Sequence, residues 1–260
     1  MTPPSSKQQR IADITRRLLD ARRTNTRVSL ADLLPADLDE AYAVQDLVAQ
    51  SMGPLGGWKV GAKGLDLEPN CAPLPAAGIF AAPAALQDGA WRARGIETEL
   101  AFRFDADLPE RVTPYTRDEV LGAIGAALPA IEVVESRLIE FPNPQPLAMR
   151  SDLNSHGALI TGSTIEFRPQ LLDATRLAAR QWFDDREVAN KVGGNPAIEI
   201  GRLLVWLVNH LAARGLGLQA GQIVSTGSFT GMLFAPAACR VRGEIVGVGV
   251  CEVGFEAGAA

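Results

Sequence analysis

The chain has 260 residues, 47% of them hydrophobic, and a formal net charge of −5, which allows one large domain or two small ones around a sizeable core. No run of Lys or Arg stands among aromatic residues, which excludes the basic surface typical of nucleic-acid binding, and no apolar stretch reaches the roughly 20 residues of a membrane span. Three cysteines without a C-x-x-C pair, and a polar leader without an apolar segment, predict a reduced cytoplasmic protein rather than a disulfide framework, a zinc ribbon or an exported chain.

The first part of the chain is predicted to be helical. Apolar residues recur at helical spacing over 11–19. A second helix follows Pro35, where Asp37 and Glu40 have the spacing of a capping box. A glycine-rich stretch then ends this helix. We therefore predict a small helical N-terminal portion over residues 1–56.

From Trp58 onward the pattern changes to strands and loops. Residues 64–90, rich in Pro, Ala and Gly, are predicted to form a long loop. Strand-like runs, including a hairpin that turns at 184–186, occupy residues 58–61, 95–104, 129–138, 158–160, 182–189, 222–225, 239–242 and 245–253. We predict that residues 57–260 form a β-rich catalytic domain.

Two further helices interrupt the strands. Thr116 caps a short one, and a longer one is predicted over 196–214, with Asn195 as its N-cap and Gly215 as its stop. Because helices and strands are segregated along the chain rather than alternating, we predict an α+β fold instead of a doubly wound sheet.

Three glutamates are the most informative candidates for chemistry. Glu97 and Glu99 are two apart in a predicted strand, so their side chains lie on one face. Glu132 interrupts an apolar run and is expected to be buried, where a carboxylate needs a partner or a metal. Adjacent carboxylates repel each other unless a positive charge lies between them. A hard divalent cation, which takes oxygen ligands, would supply that charge. The alternative at this point is that the Glu97 and Glu99 pair is the solvated face of an edge strand.

Six short motifs occur in an order that resembles the fumarylacetoacetate hydrolase superfamily, and within it the 2-oxopent-4-enoate hydratase and 4-oxalocrotonate decarboxylase branch. The resemblance covers residues from about 10 to 255 and implies a mixed β-sheet roll of the fumarylacetoacetate hydrolase type. The motifs lie at 57–61 (GWKVG), 96–102 (IETELAF), 129–137 (PAIEVVESR), 151–155 (SDLNS), 194–196 (GNP) and 221–228 (GQIVSTGS).

The resemblance implies a metal site. Glu97, Glu99 and Glu132 correspond to the carboxylate ligands of Mg²⁺ or Mn²⁺, which would act as Lewis acid and template for a 2-oxo acid. Lys59 corresponds to the active-site lysine of the family, placed to stabilise a developing enolate or to shuttle a proton. The alternative for Lys59 is an exposed lysine at a strand end.

Two polar segments are the remaining candidates of the resemblance. Asp152 and Ser155 would orient the substrate carboxylate or a catalytic water, although an Asx-type turn explains them equally well. Thr226, Gly227 and Ser228 would line the substrate carboxylate, with a tight turn as the alternative.

The nearby His156 is expected to be a satisfied or solvated histidine, because two histidines cannot build a His-based metal cluster.

The implied function is that of a metal-dependent lyase acting on a short 2-oxo or 2-hydroxydienoic acid in aromatic meta-cleavage catabolism. A hydratase is the leading hypothesis. The alternatives are a 4-oxalocrotonate-type decarboxylase, a diketo-acid C–C hydrolase or a non-catalytic partner subunit. The resemblance also implies a homo-oligomer and leaves room for association with a pathway partner enzyme.

One departure from the branch bears on hydration. Its members carry an acidic residue after a proline in the loop that corresponds to residues 69–80, and this chain has no acidic residue at 73–80. Asp66 and Glu68, upstream of that loop, are the candidate substitutes.

Overall fold

The computed structural model describes residues 6–256. The α-helices are α1 (Ser6–Arg23), α2 (Leu38–Gln50), α3 (Arg117–Gly122), α4 (Pro146–Ser151) and α5 (Ile200–Ala213). The strands are β1 (Leu55–Gly61), β2 (Asn70–Pro75), β3 (Ile79–Ala81), β4 (Ala84–Gln87), β5 (Gly95–Phe104), β6 (Ile124–Val134), β7 (His156–Thr161), β8 (Ile165–Glu166), β9 (Ala178–Phe183), β10 (Arg186–Val192), β11 (Ile223–Ser228), β12 (Leu233–Phe234), β13 (Arg240–Ile245) and β14 (Gly249–Glu256). Within residues 6–256, no helix is long and apolar enough to cross a bilayer.

The strands form two mixed sheets. The larger has the order β2-β1-β11-β5-β6-β7-β3, with β12 added to β5 and β8 to β6. The smaller has the order β10-β9-β13-β14-β4. Most neighbours are antiparallel, but β1 pairs with β11, β3 with β7 and β14 with β4 in parallel. This segregated arrangement confirms the predicted α+β class.

The two sheets pack face to face through β5, β6 and β13. A Cβ added at Gly243 would lie 2.7 Å from Thr98 Oγ1 and 3.0 Å from Ile131 Cγ1. Only glycine therefore lets β13 approach the larger sheet this closely. The apolar layer between the sheets includes Ile96 and Val241, so the even-numbered residues of β5 are committed to the core and the odd-numbered ones face the other side.

The N-terminal helices behave as the sequence predicts. The Asp37 side chain accepts a hydrogen bond from Glu40 N at 2.8 Å and caps α2. Ile14 and Leu18 are buried in a cluster that also contains Leu153. The helical portion is thus packed directly against the segment that precedes β7.

Two predicted elements were wrong. Residues 64–90 contain β2, β3 and β4 rather than one long loop. The prolines of β2 are tolerated because β2 is the edge strand of its sheet. The long helix begins at Ile200 instead of residue 196, and its N-cap is Glu199, whose carboxylate accepts from the amides that follow it.

Candidate active site

A single cavity of about 420 Å³ gathers most of the predicted site residues. It opens beside the carboxyl end of β1 and is floored by β5 and β6 of the larger sheet. The predicted residues that line it are Lys59, Glu97, Glu99, Glu132, Gly227 and Ser228. Lys63, Asn70, Asn154, Lys191 and Asn195 line it as well and were not predicted to do so.

The three glutamates converge because of strand geometry. Glu97 and Glu99 alternate with inward residues of β5, and Glu132 of β6 pairs directly with Glu97 across the antiparallel ladder. One carboxylate oxygen from each residue lies within 4.8 Å of the others. Glu99 and Glu132 are buried, at 2% and 1% exposure. This is a compact all-oxygen cluster, not the solvated face of an edge strand.

Lys59 is carried to this cluster by β1, which pairs in parallel with β11. Its Nζ donates to Glu132 Oε1 and, at 3.3 Å, to the carbonyl oxygen of Asn154. Burial alone would lower the pKa of Lys59, but the charges of Glu132, Glu97 and Glu99 outweigh it and raise that pKa. Lys59 is therefore a half-buried ammonium at neutral pH.

The carboxylates differ in their electrostatic surroundings. Burial, followed by the charge of Glu132, raises the pKa of Glu97 to about 7 and that of Glu99 to about 8. Burial would also raise the pKa of Glu132, but Lys59 and then His156 reverse the effect and lower it. Without a cation, the cluster therefore holds protons that ordinary carboxylates would release.

The cluster fits a hard divalent cation. Glu132 Oε2 is buried and has no hydrogen-bond partner among the described residues, although a buried carboxylate oxygen is costly to leave unpaired. Three convergent carboxylates supply the oxygen ligands that Mg²⁺ and Mn²⁺ prefer. The residues that would hold the ion are Glu97, Glu99 and Glu132.

A bulge within β11, between Ser225 and Ser228, supports Glu99. Ser225 Oγ and Gly227 N, the latter at 3.0 Å, donate to Glu99 Oε2. Gly227 has φ of +89°, a conformation that favours glycine. Thr226 faces away from the cavity, since it is fully buried and its hydroxyl donates to Leu100 O at 2.6 Å.

Asn195 has a role that the sequence did not reveal. Its Nδ2 donates to the carbonyls of Thr226 at 2.9 Å and Gly227 at 3.0 Å, so it holds the bulge of β11 in place. The prediction that Asn195 caps a helix was wrong, because Glu199 does so. An Asn between glycine and proline is compatible both with a helix N-cap and with hydrogen bonds to a distant strand. The local pattern therefore could not distinguish the two.

Asp152 and Ser155 flank an unusual turn that precedes β7. Leu153, Asn154 and Ser155 all have positive φ, at 51°, 50° and 57°, and each non-glycine residue in this region costs about 1–2 kcal/mol. Asp152 is fully buried behind the turn, while Ser155 Oγ is buried without a hydrogen-bond partner within residues 6–256. The structure brings the Asn154 carbonyl, rather than the Asp152 carboxylate, to Lys59.

His156 is part of the cluster's support. It is 1% exposed, and its Nδ1 lies 3.2 Å from Glu132 Oε1. Burial lowers the pKa of His156, so the ring is neutral at pH 7 and its Nδ1–H donates to the carboxylate. A histidine at the start of a buried strand was the available signal for this contact.

The candidate substitutes for the missing loop acid lie elsewhere. Asp66 is exposed, and Glu68 accepts a hydrogen bond from Trp206 Nε1 at 2.6 Å on the surface. The segment itself passes close to His156, whose Nε2 is 3.4 Å from the position of a Cβ on Gly78.

Comparison with known proteins identifies the family of the chain. The family model described as "Fumarylacetoacetate (FAA) hydrolase C-terminal" matches residues 77–256. The chain is 30% identical over 228 residues to 2-keto-4-pentenoate hydratase 2 of Dechloromonas aromatica (strain RCB), covering 82% of this chain and 84% of that protein. It is 29% identical over 157 residues to a 4-oxalocrotonate decarboxylase of Pseudomonas sp, covering 59% and 57%.

Solved structures show the same fold. The 4-oxalocrotonate decarboxylase from Pseudomonas putida G7, complexed with magnesium and adipate, superposes with a TM-score of 0.83 at 20% identity, covering 98% of this chain and all of that one. The chain therefore belongs to the fumarylacetoacetate hydrolase family. Its relatives include proteins named hydratases and decarboxylases of the predicted branch, which confirms the resemblance stated from the motifs.

Proposed function

We propose that this protein is a Mg²⁺- or Mn²⁺-dependent hydratase that converts 2-hydroxypenta-2,4-dienoate to 4-hydroxy-2-oxopentanoate in aromatic meta-cleavage catabolism. The observation that carries the proposal is the cluster of Glu97, Glu99 and Glu132 beside the half-buried ammonium of Lys59. Relatives named 2-keto-4-pentenoate hydratase support the choice of reaction.

Each residue of the cavity would have a distinct role in this reaction. When bound, the cation would serve as a Lewis acid at the 2-oxo group of the substrate. Lys59 stabilises the negative charge of the enolate as the dienoate ketonises to a conjugated enone, before water adds at the far carbon. Ser228 and Gly227, in the bulge of β11, contact the substrate carboxylate, and Ser155 orients that carboxylate or the water.

A second candidate, a decarboxylase of a dicarboxylic 2-oxo acid, is favoured by two further lysines. Lys63 and Lys191 line the same cavity as Lys59, and Lys191 Nζ is held by Thr230 O at 2.7 Å. With a divalent cation bound, the three lysines and three glutamates of the cavity would leave two net positive charges. A dianion complements that charge better than a monoanion.

Proton NMR of the products separates these candidates. Supplied with Mg²⁺, the enzyme should form 4-hydroxy-2-oxopentanoate from 2-hydroxypenta-2,4-dienoate, and chelator should stop it. Loss of CO₂ from 2-oxo-3-hexenedioate would instead establish the decarboxylase, and Lys191→Met should then raise KM for that acid. Turnover of neither acid would refute both candidates.

The remaining expectations concern the whole protein. We propose, from the family resemblance, a cytoplasmic homo-oligomer that associates with a pathway partner enzyme, with residues 1–56 as its helical portion and 57–260 as its catalytic domain. Size-exclusion chromatography with light scattering measures the oligomeric state, and a monomer at assay concentration would contradict this part.

A further inference from the structure

Arg22 at the end of α1 makes a buried ion pair that reaches across the fold. Its Nη2 lies 2.6 Å from Asp152 Oδ1, and the two side chains are 14% and 0% exposed. The other oxygen of Asp152 accepts from Ser136 Oγ at 3.0 Å and from Arg137 N at 2.7 Å. Removal of one partner from a buried pair leaves an uncompensated charge, so Arg22 strongly constrains Asp152.

Asp152 in turn fixes the left-handed turn of residues 153–155. Its carbonyl accepts from Ser155 N at 2.8 Å and closes the turn. The turn is anchored on its far side by Asn154, whose Nδ2 donates to Asn70 Oδ1 at 2.9 Å. Three consecutive residues with positive φ persist only where surrounding contacts over-determine them. The N-terminal helix contributes the apolar side chains of Ile14 and Leu18, which are buried in one cluster with Leu153, and the ion pair of Arg22.

The turn delivers two groups to the cluster. The Asn154 carbonyl accepts from Lys59 Nζ at 3.3 Å, and the next residue but one, His156, places Nδ1 3.2 Å from Glu132 Oε1. An unbroken series of contacts therefore runs from Arg22 through Asp152 and the turn to Lys59 and Glu132.

We propose that Arg22 is a positioning residue for the active site: through Asp152 it holds the left-handed turn in the conformation that aims Lys59 and Glu132. The inference rests on the proposed function for its activity assay. Among the described residues, none of α1 lines the cavity. The proposal therefore gives the N-terminal helix an indirect part in catalysis. Lys59 acts on charge that develops in the transition state, so disorder of the turn should act on kcat more than on KM.

The test compares Arg22→Met with Arg23→Met. Arg23 is the adjacent residue, 74% exposed, and pairs only loosely with Asp20 at 3.2 Å. We expect Arg22→Met to lower kcat roughly tenfold or more with KM within about twofold, and Arg23→Met to change neither. Arg22→Lys should restore most of kcat, because the contact uses a single nitrogen. Wild-type kcat in folded Arg22→Met, or no recovery in Arg22→Lys, would overturn the inference.

A second readout does not depend on turnover. Hydrogen exchange followed by mass spectrometry should show lost protection at residues 152–158 in Arg22→Met and not in Arg23→Met. If the wild-type protein turns over neither acid, the proposed function fails, and unchanged protection in Arg22→Met would separately overturn this inference. If Arg22→Met does not fold, Asp152→Asn replaces it, because the amide keeps the shape and removes the charge. The same loss of kcat is then expected, and wild-type kcat refutes the positioning role.

Discussion

Replacement of Glu97 by Gln should stabilise the metal-free protein and abolish most of its stabilisation by Mg²⁺. Among residues 6–256, no group donates a hydrogen bond to the Glu97 carboxylate, so the change removes charge without breaking a contact. The substitution preserves side-chain shape. Opposite effects in the absence and presence of Mg²⁺ would separate a repulsive metal site from an ordinary structural carboxylate.

The expected change in the free energy of unfolding follows from the pKa of Glu97, which burial and then the charge of Glu132 raise from 4.5 to about 7. A tenfold change in proton affinity corresponds to about 1.4 kcal/mol, so the ionised carboxylate destabilises the metal-free fold by about 3 kcal/mol. The unpaired amide of Gln costs about 1 kcal/mol. The net gain of about 2 kcal/mol corresponds to roughly 4–8 °C in Tm for a domain of this size.

The difference in stability between Glu97→Gln and the wild type depends on pH. A carboxyl group whose folded pKa is raised contributes stability that is complete below its unfolded pKa, 4.5, and is lost as pH rises through about 7. Glu97→Gln and wild type should therefore differ little at about pH 5, and the variant should be the more stable one at about pH 8. Thermal and urea unfolding with EDTA at both pH values measure this difference.

Addition of Mg²⁺ at about one hundred times its Kd should stabilise the wild type by about 2.7 kcal/mol, and Glu97→Gln by much less. Glu135→Gln is the matched control, because Glu135 is also buried but is bonded to Arg27 and to the amide of Arg92. That control should lower stability in both conditions and keep the Mg²⁺ increment. Lower stability of Glu97→Gln at pH 8 with EDTA, or an intact Mg²⁺ increment, would show that Glu97 is not a repulsive carboxylate that binds the cation.

Three further outcomes are expected. Lys59→Met should lower kcat about 10²–10⁴-fold in steady-state assays, and a loss smaller than tenfold would contradict its role. Asn195→Ala should leave the carbonyls of Thr226 and Gly227 unpaired, raise KM about tenfold and lower stability by about 1–3 kcal/mol. Kinetics and melting curves test this, and unchanged KM would argue against the bulge of β11 as a substrate contact. Arg10→Met should reduce Tm at pH 7, because a hydrogen bond from Arg10 lowers the pKa of Glu40 to about 2. The stability that this hydrogen bond contributes is complete above about pH 4.5 and is lost as pH falls through about 2. A difference in Tm between Arg10→Met and wild type that is equal at pH 7 and pH 2 would contradict the pairing.

Local chemistry made several elements predictable from sequence. The capping contacts of Asp37 and of Thr116 are formed within three or four residues of chain, so no tertiary information was needed. The α+β class followed from the segregation of the same kind of local patterns. The glutamates of β5 could be placed on one face because strand geometry has a period of two.

What failed depended on distant contacts. The prolines of β2 suggested a loop, and only the position of β2 at a sheet edge makes them acceptable. The side chain of Asn195 donates hydrogen bonds to carbonyls that are 31 and 32 residues further along the chain instead of capping the helix. The contact between Arg22 and Asp152 spans 130 residues, and no spacing rule could have joined them.

The most direct test of the account is the rate of 4-hydroxy-2-oxopentanoate formation as Mg²⁺ is titrated into chelator-treated wild type and Glu132→Gln. We expect no turnover without the cation, saturable recovery in the wild type and none in the variant. Full turnover by the chelated wild type, or equal recovery in Glu132→Gln, would contradict the claim that these carboxylates form a catalytic metal site.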